Sequence, residues 1–87
     1  MKLTGKIIFI TSRNATLELE NYGKYDAKSP YDIYLNGTKW GASGKVVQPL
    51  YGLTPDTEYR LELVCGGETS EAILFRTDYE FVTLNVR

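Results

Sequence analysis

Histidine is absent from the chain, and cysteine and tryptophan each occur once. The missing histidine removes the commonest general base. A lone Cys65 cannot form an intrachain disulfide, and there is no second thiol for a zinc site, so no metal or cofactor is expected. Charge of either sign is also scarce in net terms. Ten basic residues against eleven acidic ones leave −1, which argues against nucleic acid and against electrostatic capture of a polyanion while leaving a local basic patch open. Long apolar runs are missing. Ile7-Ile8-Phe9-Ile10 is too short for the core of a signal peptide and too short to span a membrane. The expectation is therefore a cytoplasmic chain; the alternative is a secreted or periplasmic one whose leader lies outside the given sequence. No ten-residue stretch carries a helical period.

What is present is a series of short alternating segments. Eighty-seven residues, 43% of them hydrophobic and seven of them tyrosine, fill the core of one small two-layer domain and leave little surplus for a deep pocket. Lys6–Thr11 is β-branched and aromatic. After the turn Ser12-Arg13-Asn14, residues Ala15–Glu20 alternate, with Ala15, Leu17 and Leu19 inward. Residues 21–30 read as a polar loop that holds Tyr22 and Tyr25. Tyr31–Leu35 and Thr38–Ala42 flank Asn36-Gly37, a strong hairpin signal. Lys45–Tyr51 is a short strand whose Pro49 favours an edge or a bulge. Thr57–Cys65 and Ser70–Thr77 complete the series around Gly66-Gly67. Strands at this spacing, with turns between them, predict an all-β sandwich.

The stretch that organises the rest is Leu53-Thr54-Pro55-Asp56-Thr57-Glu58-Tyr59, a turn that leads into the alternation Tyr59, Leu61, Leu63, Cys65. Leu53, Pro55 and Tyr59 mark a tyrosine corner, in which the phenol reaches back to the backbone of the turn. The run resembles the E–F corner of fibronectin type III domains, which reads L-x-P-x-T-x-Y-x-V-x-V. Ala15-Thr16-Leu17 and Tyr31–Lys39 resemble strands B, C and C′ of the same family. Leu19 departs from it, standing where the family usually has a core tryptophan. The resemblance implies a fibronectin type III-like (immunoglobulin-like) β-sandwich of about seven strands over residues 1–77.

Residues 78–87 begin a fresh apolar alternation after that pattern closes. Phe81-Val82-Thr83-Leu84-Asn85-Val86-Arg87 resembles the entry to the catalytic domain of family 28 glycoside hydrolases, the polygalacturonases and related pectin-degrading enzymes. Bacterial members of that family often carry an N-terminal type III domain. The resemblance implies that 78–87 is a connector towards a C-terminal β-helix catalytic domain of the same polypeptide. It also implies that the present chain is a non-catalytic accessory module, since none of that family's catalytic carboxylates maps onto it. The alternative is a free-standing carbohydrate- or protein-binding adhesion domain, and a third reading is a spacer.

Each candidate residue also has a chemistry of its own. Glu18 and Glu20 lie two apart on one strand face, the arrangement of a glycosidase pair, but charged neighbours on a strand more often form a solvated face. Trp40, Tyr22 and Tyr25 could stack on sugar rings such as those of a pectic polysaccharide, or touch a neighbouring domain, or fill the core. Lys24, Lys28, Lys39 and Lys45 could meet an acidic chain, although four dispersed lysines ordinarily serve solubility. The sequons at Asn14 and Asn36 read as turn residues. Cys65 reads as a buried, inert thiol.

Overall fold

The alternation that marks each strand becomes one buried face and one wet face in the computed structural model, which describes residues 2–22 and 30–80. Gly5–Ile10 (β1), Ala15–Leu19 (β2) and Val47–Leu50 (β5) form one sheet in the order β1-β2-β5. Tyr31–Leu35 (β3), Thr38–Ser43 (β4), Glu58–Cys65 (β6), Glu68–Thr69 (β7) and Ile73–Arg76 (β8) form the second, in the order β4-β3-β6. There β7 and β8 share the remaining edge of β6. All of these pairings are antiparallel. The inward rows of the two sheets meet in a single core, which makes the fold an all-β sandwich.

β2 contributes Ala15, Leu17 and Leu19 to that core, β3 contributes Tyr31, Ile33 and Leu35, and β6 contributes Leu61 and Leu63. Leu50, Leu53 and Phe75 close it. The aromatic bulk expected to replace the absent strand-B tryptophan comes from Tyr22 and Tyr31. Both are fully buried and meet edge to face at 5.1 Å. The Tyr31 hydroxyl donates to the Lys45 carbonyl at 2.7 Å, so its one polar atom is satisfied.

The turns follow from local chemistry. Asn36 and Gly37 have φ of 52° and 83°, and Gly66 and Gly67 have 61° and 82°, the paired positive values of two-residue hairpins. Asn36 does more than turn: its Oδ1 accepts from Arg60 N at 2.8 Å and so extends the β3–β6 ladder by one rung. The strand expected over Ser70–Thr77 is shorter than the alternation implies. The Ser70 hydroxyl accepts from the buried Leu63 N at 2.9 Å, taking the place of a backbone partner, and regular pairing resumes only at Ile73.

Edge strands carry the irregularities. In β1, Ile7 faces Leu17 and Phe9 faces Thr16, which leaves Ile8 as the extra residue of a bulge. In β4, Lys39 faces Tyr34 and Gly41 faces Ile33, so Trp40 is the extra residue. Bulges on edges both twist the strand and re-aim a side chain. Pro49 sits on β5, an edge of its sheet, where no outer ladder needs its missing N–H.

Candidate functional site

The corner residues converge as the turn chemistry requires. Tyr59 starts the inward row of β6, and its hydroxyl accepts from Thr54 N at 2.9 Å, five residues upstream. The ring stacks on Phe75 at 5.5 Å. Leu53 is buried beneath it, and Pro55 is half-buried in the turn. Tyr59 is itself half-buried rather than buried, a correction to the inward pattern: it stands at the end of the sandwich, where one sheet gives way to a loop.

That end holds an open groove of 320 Å³, lined by Leu35, Thr38, Lys39, Trp40, Gly52, Leu53 and Tyr59. The bulge in β4 delivers Trp40 to it. The indole Nε1 donates to the Tyr51 carbonyl at 3.2 Å, and the Tyr51 ring meets the indole edge to face at 5.2 Å. Trp40 therefore links β4, an edge of one sheet, to the residue that follows β5, an edge of the other, half-exposed and held by the carbonyl and ring of Tyr51. Across the groove, Tyr59 is fixed by Thr54 N and Phe75. Lys39 stands at the rim, 3.5 Å from Asp32, in a pair whose members are both substantially exposed. Sequence reasoning named Trp40 and Lys39 separately. Their convergence with Tyr59 depends on the bulge, which no local pattern announces.

The other sequence candidates are placed elsewhere. Tyr22 is 1% exposed and offers no face to a sugar or a neighbouring domain; packing against Tyr31 takes the whole ring. Tyr25, Lys24 and Lys28 lie outside the described residues. Lys45 is exposed and does not line the groove. Glu18 lies on the solvent side of β2, 3.9 Å from Lys6, and Glu20 is exposed, so no apolar wall encloses the two as an acid–base pair. Cys65 is half-buried, packed against the rim of the core rather than inside it, because β6 runs out towards the Gly66-Gly67 turn. Among the described residues no group of three or more His, Cys, Asp or Glu side chains is placed to hold a metal ion.

A second constellation, which sequence reasoning missed, gathers where the chain leaves β8. Thr77, 2% exposed, donates its hydroxyl to the Thr54 carbonyl at 2.6 Å and accepts from Thr57 N at 2.9 Å. Asp78 N donates to the Thr11 carbonyl, and the Asp78 carbonyl accepts from Asp56 N. Arg76 grips the Asp56 carboxylate and carbonyl. Arg13 makes a two-pronged contact with Glu80, and that carboxylate holds the guanidinium pKa above its ordinary value. The sandwich's bonds thus continue through Glu80, past the boundary expected at Thr77.

No protein-family model and no curated sequence matches the chain. Solved structures do. The chain superimposes on a fibronectin type III domain of human contactin 1 with a TM-score of 0.75 at 15% identity, covering 99% of this chain and 84% of that one. A fibronectin type III domain from the human KIAA0970 protein gives 0.74 at 16% identity, over 98% of this chain and 79% of the other. The central fibronectin type III array of RIM-binding protein gives 0.68 at 18% identity; 91% of this chain is covered, and it spans 32% of the array's length. At these identities the likeness is one of fold: the chain is a fibronectin type III-like β-sandwich.

Proposed function

We propose that the chain is a non-catalytic accessory module that presents a neighbouring domain of the same polypeptide in a fixed orientation. The observation that carries this reading is the set of bonds around residues 76–80. The strand exit is tied to the turn at 54–57 and to the turn at 11–14 by backbone and side-chain hydrogen bonds together. A spacer that only separates two domains needs no such definition of its exit; flexible linkers do that work.

The narrower form of the proposal makes the following domain a polygalacturonase-like β-helix, which would place this module in a bacterial pectin-degrading enzyme. Its support is the resemblance of Phe81–Arg87 to the entry of that catalytic domain, a stretch outside the described residues. The test is to express the polypeptide through the coding sequence that follows Arg87 and to assay reducing-end release from polygalacturonate. Turnover by the long chain and none by residues 1–87 supports the narrower form. A stop codon, or an unrelated domain, overturns it. A binding role is the second reading, and the groove at Trp40 is what favours it.

A further inference from the structure

The groove between β4 and the turn after β5 is more ordered than packing alone requires. Trp40 occupies an unpaired bulge position, its Nε1 bonded to the Tyr51 carbonyl and its ring in an edge-to-face contact with the Tyr51 ring. Tyr59 is fixed on the other side by Thr54 N and by stacking on Phe75. The floor is apolar, made by Leu35 and Leu53, which are 7% and 3% exposed. Gly52, in the lining with φ +74°, adds no side chain to the groove. Two pre-set aromatic rings over an apolar floor suit a ring with a C–H-rich face. Their fixed rotamers lower the entropic cost of binding.

The rim adds a sign. Among the described residues Lys39 is the one charged side chain in the lining, and its exposed contact with Asp32 is of a kind that contributes little, so the ammonium can turn to a ligand carboxylate. The Thr38 hydroxyl beside it offers a donor or acceptor to a ring hydroxyl. We infer that this groove is a binding site for the acidic sugar unit of an oligosaccharide, with the ring face on Trp40 and the carboxylate at Lys39. This goes beyond the accessory-module reading and stands whether or not a hydrolase follows Arg87. A volume of 320 Å³ lies at the small end of ligand sites and matches one sugar residue, not a long chain. With one stacked ring and one exposed charge pair, the dissociation constant is on the order of 1 mM.

The chain's single tryptophan makes the test direct, because its fluorescence and its indole N–H resonance report on this groove alone. The full 87-residue chain is titrated with trigalacturonate, with neutral galactose oligomers, and with benzoate as an aromatic carboxylate. The expected result is saturable quenching and an indole shift with trigalacturonate. Neutral oligomers should bind at least about threefold more weakly, and Lys39→Gln should lose a similar factor for the acidic ligand, the effect of one exposed charge. Lys39→Gln is a surface change that should leave the melting temperature intact. Equal binding of the neutral oligomers, preference for benzoate, insensitivity to Lys39→Gln, or no saturation by about 10 mM would each overturn the inference. None of these outcomes touches the accessory-module proposal, which the long polypeptide tests separately.

Discussion

Replacing Thr77 by valine keeps the shape of a buried β-branched side chain and removes its hydroxyl. In the native structure that oxygen donates to Thr54 O and accepts from Thr57 N, and the residue is 2% exposed. The two stranded partners differ. Thr54 is exposed, so water can reach its carbonyl, and that loss is mostly repaired. Thr57 is half-buried, and its N–H sits against the new methyl group with no acceptor. A stranded buried donor costs about 1–3 kcal/mol, and the partly rehydrated bond adds a few tenths, so the net is about 2 kcal/mol. For a domain of this size that corresponds to a fall of roughly 10 °C in melting temperature. Urea melts followed by circular dichroism give the free energy, and an unchanged m-value shows that the unfolded state is not responsible. Thr77→Ser is the control. It keeps the bonds and loses one buried methyl, about 0.8 kcal/mol. A valine variant as stable as the serine one would refute the reasoning, since it would mean that the hydroxyl contributes nothing beyond the methyl.

Three further outcomes follow from the same structure. Tyr59→Phe should cost about 1 kcal/mol, less than Thr77→Val, because the donor it strands belongs to exposed Thr54; a phenylalanine variant as stable as the parent in equilibrium melts would count against the corner. Burial raises the Tyr31 pKa above its ordinary value of 10.0. Its neutral form is then favoured by folding, so this contribution is whole below about pH 10 and is lost as pH rises through the higher folded value. Urea melts from about pH 8 to about pH 12 should show that decline, and Tyr31→Phe should flatten it. The purified chain should show no turnover of pectin, polygalacturonate or aryl glycosides, since Glu18 and Glu20 are not enclosed; turnover abolished by Glu18→Gln or Glu20→Gln would reverse that reading.

The strands were legible in the sequence because period-two alternation is a direct image of a sheet with one dry face. Asn36-Gly37 and Gly66-Gly67 were legible because positive φ at two successive positions is open to very few residue types. What escaped depends on contacts between segments far apart in the chain. Thr77 reads as an ordinary strand-end threonine, and its role exists only because the turn at Thr54–Thr57 folds over it. Tyr22 reads from the sequence as a loop aromatic open to a sugar, a neighbouring domain or the core, and only the closed sandwich, which buries it on Tyr31, decides for the core. Trp40 is a candidate in the sequence, yet it occupies the extra position of a one-residue bulge, to which alternation assigns no partner. The resemblance to type III domains supplied the order of the strands. It could not supply the groove, which exists only in the packed geometry.

The bonds at the two ends of the module also decide how it bears tension. Near the start, the Asn21 side chain accepts from Thr4 N and donates to Lys2 O, while Glu20 N donates to Thr4 O. Near the end, Thr77 and Asp78 are tied to residues of two different turns. A pull applied beyond Glu80 is therefore divided between the 11–14 and 54–57 loops before it reaches Glu58↔Arg76, the outermost rung of the β6–β8 ladder. The ladder cannot be peeled open one rung at a time from that side. It has to fail together with the loops, so single-molecule stretching of several copies joined end to end should give one abrupt rupture per module, and Thr77→Val should lower its force.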